Sequence, residues 1–317
     1  MLGNGSAPRS SSPWRPLLKG AAAAALAAAF AVPLMRKKHR IPPAVTTAAL
    51  AAGPPALAVL RPRTKLRDAG MYALQMWAFV LGHELPYDDP ERAESRLRVG
   101  YPIRIDRVLG GGELPSVRLQ RALGGLGNRN VINRFLCWVH WSWFFEPHGA
   151  LTYILARDQE QFARSARQMS AVYDIGCIVY AAVPTAPPWW ASEEGYTDAK
   201  VRRIMVEVGE EEWGKAWPVL YDVLGGNPWA AMPSLHFATS LMAALLLSEM
   251  GVREGIAGFA YAGTLGFALV YLGEHYVVDL LAGAALVFAI RLGERHAEPL
   301  ASAVSGALQR LERIATH

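Results

Sequence analysis

The sequence predicts an all-α fold, a polytopic membrane helix bundle, and three observations carry that prediction. Apolar residues fill 52% of the 317 positions and the mean hydropathy is +0.15, with apolar runs reaching membrane-spanning length at several places. The Lys and Arg residues behind the net charge of +5 lie mostly between and beside those runs, where positive-inside bias and anionic headgroups account for them. Two polar clusters each open an apolar segment, with a helix, a bend and a returning helix between them. The basic balance therefore does not require nucleic acid. Cys137 and Cys177 fall inside apolar segments as small buried hydrophobes, and no disulfide framework or zinc-type cysteine spacing is present.

In chain order, residues 1–16 have the composition of a disordered tail, with Gly3, Gly5, Pro8 and Pro13 among serines. Residues 17–68 hold N-terminal hydrophobic segments. Leu17 to Met35 is alanine-rich and is followed by the basic run from Arg36 to Arg40, which reads as an uncleaved span rather than a signal peptide. Ala44 to Leu60 is interrupted by Gly53, Pro54 and Pro55 and ends in a second basic run, and Ala69 to Gly82 is barely long enough to span. If all three cross, the basic runs lie on opposite faces. A re-entrant or interfacial Ala44 to Leu60 puts them on one face, so the number of N-terminal spans stays open.

Residues 69–293 read as the membrane-embedded core, with polar excursions at 84–129 and 191–227. Spans are expected at Val131 to Ala156 and Met169 to Val183, then at Leu235 to Ser248, Ile256 to Leu272 and Tyr276 to Leu292. Between the two groups, Pro184 to Trp190 stops a helix and sets aromatics at an interface. Residues 294–317 form a basic tail on the cytoplasmic side. Counting alternation puts Arg157, Arg164, Arg167, Arg253 and the tail arginines on one face, while the 191–227 loop opposite carries eight acidic residues against four basic ones. Positive-inside bias then places His236 and His275 on the non-cytoplasmic face.

The chemistry concentrates in Pro233, Ser234, Leu235 and His236 and in Gly273, His275 and Asp279. His275 and Asp279 are spaced i, i+4, which on a helix sets a carboxylate beside the imidazole, so one ring nitrogen keeps its proton and the other is free to attack or accept one. Ser234 suits an N-cap, and the free amides of a helix start favour an oxyanion of phosphate. Each fragment alone also fits a packing histidine or a simple cap. Together they put ionisable groups at two span ends on one face, where such residues are costly and functional by default.

With about forty residues and one helical hairpin between His236 and His275, this pair of clusters resembles the type 2 phosphatidic acid phosphatase superfamily. The leucine in Pro-Ser-Leu-His, the His-Tyr-x-x-Asp form and the stretch from Tyr180 to Trp189 are most similar to the branch that includes inositol phosphorylceramide synthases. The resemblance implies a six-helix phosphatase-type core beneath the extra N-terminal segments, and phosphoryl transfer through a phosphohistidine with neither metal nor cofactor. It implies His275 as nucleophile, Asp279 as its orienting carboxylate, and His236 as the group that protonates the departing oxygen and then activates water or an alcohol. Ser234 and the backbone at Gly273 would contact phosphate.

The sequence departs from the wider family in two places. Ala268 and Leu269 stand where a Ser-Arg pair is usual, and no Lys-x6-Arg-Pro precedes the first cluster. The phosphate-holding cations must come from elsewhere, and Arg129 and Arg134 are the candidates, with Arg104 and Arg107 behind them. All four also suit headgroup contacts. His140 and Asp174 fall at similar depth in antiparallel spans and are expected to pair, either lining a substrate cavity or as an interhelical hydrogen bond. The run Trp138, Trp141, Trp143, Phe144 and Phe145 either packs against its neighbours or grips a lipid tail.

The expected activity is that of an integral-membrane lipid phosphatase, sited in the plasma membrane and acting on a phosphate monoester or diphosphate. An alternative is a phosphotransferase that moves a phospho-headgroup such as inositol phosphate to an alcohol. A transporter or scaffold whose His236, His275 and Asp279 hold a proton or zinc is the reading from another class. A serine hydrolase is disfavoured by the lack of Gly-x-Ser-x-Gly.

Overall fold

A computed structural model describes residues 14–124, 129–225 and 227–316; most of the predicted N-terminal tail lies outside them. The described residues are helical throughout, apart from turns and two isolated β-bridges. The helices group into two compact units, one drawn from residues 1–81 and 293–317 and the other from residues 82–292.

In the first unit α1 (Arg15–His39) and α2 (Pro43–Leu60) are, among the described residues, the helices long and apolar enough to cross a membrane. They meet through small residues: Ala22, Ala56 and Val59 are buried together with Ala315. A Cβ on Gly53 would stand 3.1 Å from the Ala29 side chain. The expected break at Gly53, Pro54 and Pro55 does not occur, and α2 runs through both prolines. Closely packed helix neighbours let a membrane helix tolerate the missing donors. α3 (Lys65–Glu84) follows, with the Trp77 indole donating to the Ala29 carbonyl at 3.0 Å. The far end of the last helix belongs here too, where Arg67 pairs with Glu312 at 3.0 Å.

The second unit begins with three short helices, α4 (Pro90–Ser95), α5 (Gly100–Leu109) and α6 (Pro115–Gly124). α5 and α6 are amphipathic, and each presents one buried face, Ile103 and Asp106 on α5, and Val117 and Gln120 on α6. The single span expected from Val131 to Ala156 is two helices, α7 (Arg129–Ser142) and α8 (Glu146–Arg157). Pro147 is the cause. It cannot donate back to the preceding turn, but it fits the first turn of a new helix, so residues 143–145 tighten into i→i+3 hydrogen bonds between the two.

α9 (Gln159–Ala182) starts on Asp158, whose carboxylate accepts from Glu160 and Gln161 amides. α10 (Pro188–Glu193), α11 (Ile204–Trp213) and α12 (Trp217–Gly225) build the second polar excursion. α13 (Leu235–Met250), α14 (Val252–Tyr271) and α15 (Val277–Thr316) complete the chain. α13 sits at the centre of the unit, and Ala238, Met242, Ala243, Ala244 and Leu246 are fully buried. Phe135, Ile178, Phe259, Leu281 and Phe288, by contrast, are large apolar residues on the outside of the surrounding helices. An outer face of that composition suits lipid rather than water, and the architecture is a membrane helix bundle.

At the end of the bundle away from the histidines, two arginines read from the sequence as part of a positive-inside signal are ion-paired. Glu249 on α13 takes Arg164 of α9 and Arg291 of α15, each at 2.5 Å. At the other end, residue 185 forms backbone bridges to Arg98 and Ala230, tying both polar excursions to the segment that enters α13.

The α13–α14 hairpin depends on glycine. A Cβ at Gly258 would lie 2.7 Å from the Ala244 Cα, backbone that cannot give way, whereas Gly263 on the same helix faces open space. Gly258→Ala should destabilise the detergent-solubilised protein by about 1–3 kcal/mol through overpacking. Gly263→Ala should be neutral or slightly stabilising, and thermal melts of the two variants side by side check the contrast.

Candidate active site

His236 lies in the first turn of α13, and its position is set by the residues before it. Ser234 is fully buried, and its hydroxyl accepts from the Phe237 amide at 3.3 Å, an N-cap. The Tyr180 hydroxyl of α9 donates to the Pro233 carbonyl at 2.7 Å and accepts from the Leu235 amide at 3.3 Å, clasping the same turn from the side.

His275 sits on the turn that joins α14 to α15. Gly273 there has φ of 81°, a left-handed conformation that favours glycine. The position is also crowded, since a Cβ would stand 2.7 Å from Val201 Cγ1 and 3.1 Å from the Arg202 carbonyl oxygen. The Glu274 and His275 amides both return to the Leu269 carbonyl, at 3.0 and 3.1 Å.

The hairpin brings the two halves together. His236 Nδ1 is 3.2 Å from His275 Nε2, and His275 Nδ1 is 3.3 Å from Asp279 Oδ2. The same carboxylate oxygen accepts from the Tyr276 amide at 2.8 Å, and the Ser234 amide donates to the Asp279 carbonyl at 3.0 Å. An ionised carboxylate only accepts, so Nδ1 of His275 carries a proton and its Nε2 offers a lone pair. His236 Nδ1 is then the donor between the rings. His275 and Asp279 are 4% and 0% exposed, while His236 is only partly buried and forms the accessible end of the chain of three. Because Asp279 stands on the nitrogen of His275 that faces away from His236, the three groups do not converge on one point, as a shared zinc ion would require.

The other residues singled out in the sequence divide. His140 belongs to the cluster: its ring centroid is 4.9 Å from that of His236, and neither of its nitrogens has a hydrogen-bond partner. The expected pair with Asp174 therefore does not form. α9 turns Val172, Tyr173 and Gly176 inward and leaves Asp174 on its exposed side, so matching depth did not imply matching rotation. Arg134 pairs with Glu212 at 2.7 Å and Arg107 with Asp198 at 2.8 Å, while the side chain of Arg129 lies outside the described residues. Trp143 packs on His236 with centroids 4.2 Å apart and donates to the Thr239 hydroxyl at 2.8 Å. Trp138 and Trp141 pack instead against Trp213 of α11, tilted and edge-to-face respectively.

A set of contacts behind the histidines is not visible in the sequence. Gln120 of α6 donates to the Arg202 and Tyr271 carbonyls at 2.9 and 2.8 Å and accepts from the Arg202 amide at 2.8 Å, binding residues 201–203 to the end of α14. Arg203 follows directly. Its guanidinium lies 3.4 Å over the Trp189 ring and 4.9 Å from the Tyr221 ring centre, bonds the Tyr221 hydroxyl, and leaves Nε without a partner. The Trp189 amide in turn donates to the Gly273 carbonyl at 3.1 Å. The loop holding Arg203 is acidic on balance, which masks it in the sequence. An arginine close in sequence to tryptophans in a proline-marked interfacial loop was the available signal.

Burial raises the Glu274 carboxyl from 4.5 to about 7, against the opposing pull of Arg203, His275 and the Trp189 indole hydrogen bond. With the folded value above the unfolded one, the folded state holds this proton more tightly. The contribution of Glu274 to stability is therefore greatest below about pH 4.5 and is lost as pH rises through about 7. Glu274→Gln should melt at a temperature that gains on the wild type between pH 5 and pH 8, a difference that melts across that range would record.

Comparison with known proteins identifies the family of the chain. A stretch of 116 residues is 31% identical to inositol phosphorylceramide synthase of Candida albicans, covering 35% of this chain and 25% of that protein. A stretch of 115 residues is 29% identical to the inositol phosphorylceramide synthase catalytic subunit of Schizosaccharomyces pombe, covering 35% of this chain and 27% of that one. The match thus spans about a quarter of each relative. No solved structure matches the chain. The sequence profile of the PAP2 superfamily matches residues 115–292, which is more than half the chain and holds both histidine clusters, and the chain belongs to the PAP2 superfamily.

Proposed function

We propose that this protein is an integral-membrane lipid phosphatase that cleaves a phosphate monoester or diphosphate through a phosphohistidine at His275. The observation that carries the reading is the relay from Asp279 through His275 to His236, assembled from two segments at one end of the bundle. Asp279 fixes the tautomer that leaves His275 Nε2 nucleophilic. His236, with its Nδ1 proton aimed at the reacting position, protonates the leaving oxygen and afterwards takes a proton from the entering hydroxyl. A phosphorus atom poised for attack stands about 3–3.5 Å from the nucleophile. His236 Nδ1 now holds that place at 3.2 Å, so bound substrate replaces the hydrogen bond between the rings.

No step in this scheme needs a metal, and activity should survive strong chelation. The Gly273 turn shapes the site through its backbone, and the Ser234 hydroxyl, which only accepts in its cap, keeps its own proton to donate to a phosphate oxygen. For the cation that the family motifs would supply, Arg203 is better placed than Arg134: it adjoins the Gly273 turn through Trp189, while Arg134 is held by Glu212. The arginines at the opposite end of the bundle support a cytoplasmic face there and a substrate site on the non-cytoplasmic side, with the plasma membrane as its setting.

A second reading has a specific observation behind it. Both relatives are named as inositol phosphorylceramide synthases, and the same relay serves transfer if an alcohol rather than water discharges the phosphohistidine. The transporter or scaffold reading predicts no covalent intermediate at all.

Purified protein offered labelled lipid phosphates and phospholipids, with and without an alcohol acceptor, separates these readings. Release of free phosphate is expected, together with an acid-labile, base-stable adduct absent from His275→Ala. A new diester in place of phosphate would establish transfer. Absence of any adduct from folded wild type would remove the enzyme mechanism. Arg203→Ala should lower kcat/KM by roughly 10²–10³-fold, the usual effect of losing one preorganised charge-stabilising donor. Arg203→Lys should recover only part of it, since lysine lacks the planar face that stacks on Trp189.

A further inference from the structure

The helix that carries Asp279 begins without a cap of its own. Tyr276 occupies the N-cap position of α15, and its hydroxyl is buried without a hydrogen-bond partner. Four amides at a helix start need acceptors. Asp279 provides one by reaching back to the Tyr276 amide at 2.8 Å, which is half of a capping box. The next two amides are met from a distant part of the chain. Asp106 of α5 accepts from Val277 through Oδ2 at 2.8 Å and from Val278 through Oδ1 at 2.9 Å, across sequence separations of 171 and 172 residues.

Asp106 is 1% exposed, so both oxygens are committed to these amides and nothing on the surface explains the carboxylate. Its charge faces the positive end of the α15 dipole. The contact is also braced by packing, because Val99 and Ile103 of the α5 segment share a buried cluster with Val117, Val201 and Tyr276. Tyr276 is flanked by His275 and Val277, and Asp106 therefore governs where the first turn of α15 sits relative to the His275 ring.

We propose that Asp106 is a positioning residue for phosphoryl transfer: by capping α15 from another segment, it holds His275 and Asp279 in the register that keeps His275 Nε2 aimed at substrate. The inference rests on the assignment of His275 and Asp279 made above. It differs from a simple stabilising cap in what it predicts. A loosened first turn tilts the nucleophile without altering the groups that bind lipid, so turnover falls while apparent affinity stays. Misplacement on the scale of 1 Å costs up to about 10²-fold in rate.

The test uses the full chain in mixed micelles with phosphatidic acid as the probe substrate. Asp106→Asn keeps the volume but loses one acceptor and turns a donor toward the helix start. It should lower kcat by roughly ten- to a hundredfold, leave KM within about twofold, slow adduct formation in proportion, and speed hydrogen exchange of the Val277 and Val278 amides. Asp158→Ala removes the cap of α9 at the other end of the bundle, and should lower the melting temperature while leaving kcat unchanged. If Asp106→Asn does not fold, Asp106→Ser, which retains one acceptor, is read the same way. Equal kcat and equal adduct rate in a folded Asp106 variant would overturn the proposal while leaving the phosphohistidine reading intact. A wild type that forms no adduct would overturn both.

Discussion

The structure turns on one buried residue, Asp279, and on the need to satisfy a carboxylate where water does not reach. Oδ2 takes both the Tyr276 amide and the His275 ring, Oδ1 is buried without a hydrogen-bond partner, and the backbone carbonyl takes the Ser234 amide. Those three contacts bind the start of α15, the nucleophile candidate and the start of α13. Burying a charge unaided would cost several kcal/mol, and the architecture around the site can be understood as the means of offsetting that cost. The α13–α14 hairpin returns the chain to the same end of the bundle. The glycines along it let α13 and α14 approach closely enough for His236 to meet His275. Tyr180 and Gln120 then fix the two turns from outside, using neutral side chains whose hydrogen bonds go to backbone.

Around this centre the polarity is graded. Apolar surface faces outward from the helices, paired arginines lie at one end, and at the other an arginine and a glutamate sit partly buried among tryptophans and a tyrosine. The placement of Arg203 between two aromatic faces sets a positive charge near the Gly273 turn, close enough to the Glu274 carboxyl to oppose the effect of its burial. The aromatic rings stabilise the guanidinium, and the Tyr221 hydroxyl takes one of its edge nitrogens.

Much of the fold could be read from the sequence because hydrophobic length and the i, i+4 spacing are one-dimensional signals. The spans at α13, α14 and the start of α15, the cap at Ser234 and the meeting of His236 with His275 and Asp279 all follow from them. What resisted reading depends on rotation or on distant backbone. His140 and Asp174 matched in depth, but the phase of α9 carries Asp174 outward. The span from Val131 was divided by Pro147, a residue whose effect depends on whether a new helix can start behind it. Pro54 and Pro55 show the opposite outcome in a helix with close neighbours. Arg203 was hidden by counting charges over a loop when only its local neighbours mattered. Asp106 was hidden more completely, because its partners are amides, which every residue but proline has.

The separation between Asp106 and the amides it caps has a consequence for biogenesis. At ordinary rates of synthesis, about 5–20 residues per second, the 171 residues between Asp106 and Val277 take roughly ten to thirty seconds to emerge. Throughout that interval α5 has been made and its partner has not. The contact between α5 and α15 can form only after Val277 and Val278 have been made, so the site is completed late in synthesis. A chain truncated before α15 would leave the Asp106 carboxylate and the Ser234 amide without the partners α15 supplies, a state that membrane quality control could distinguish from the finished protein.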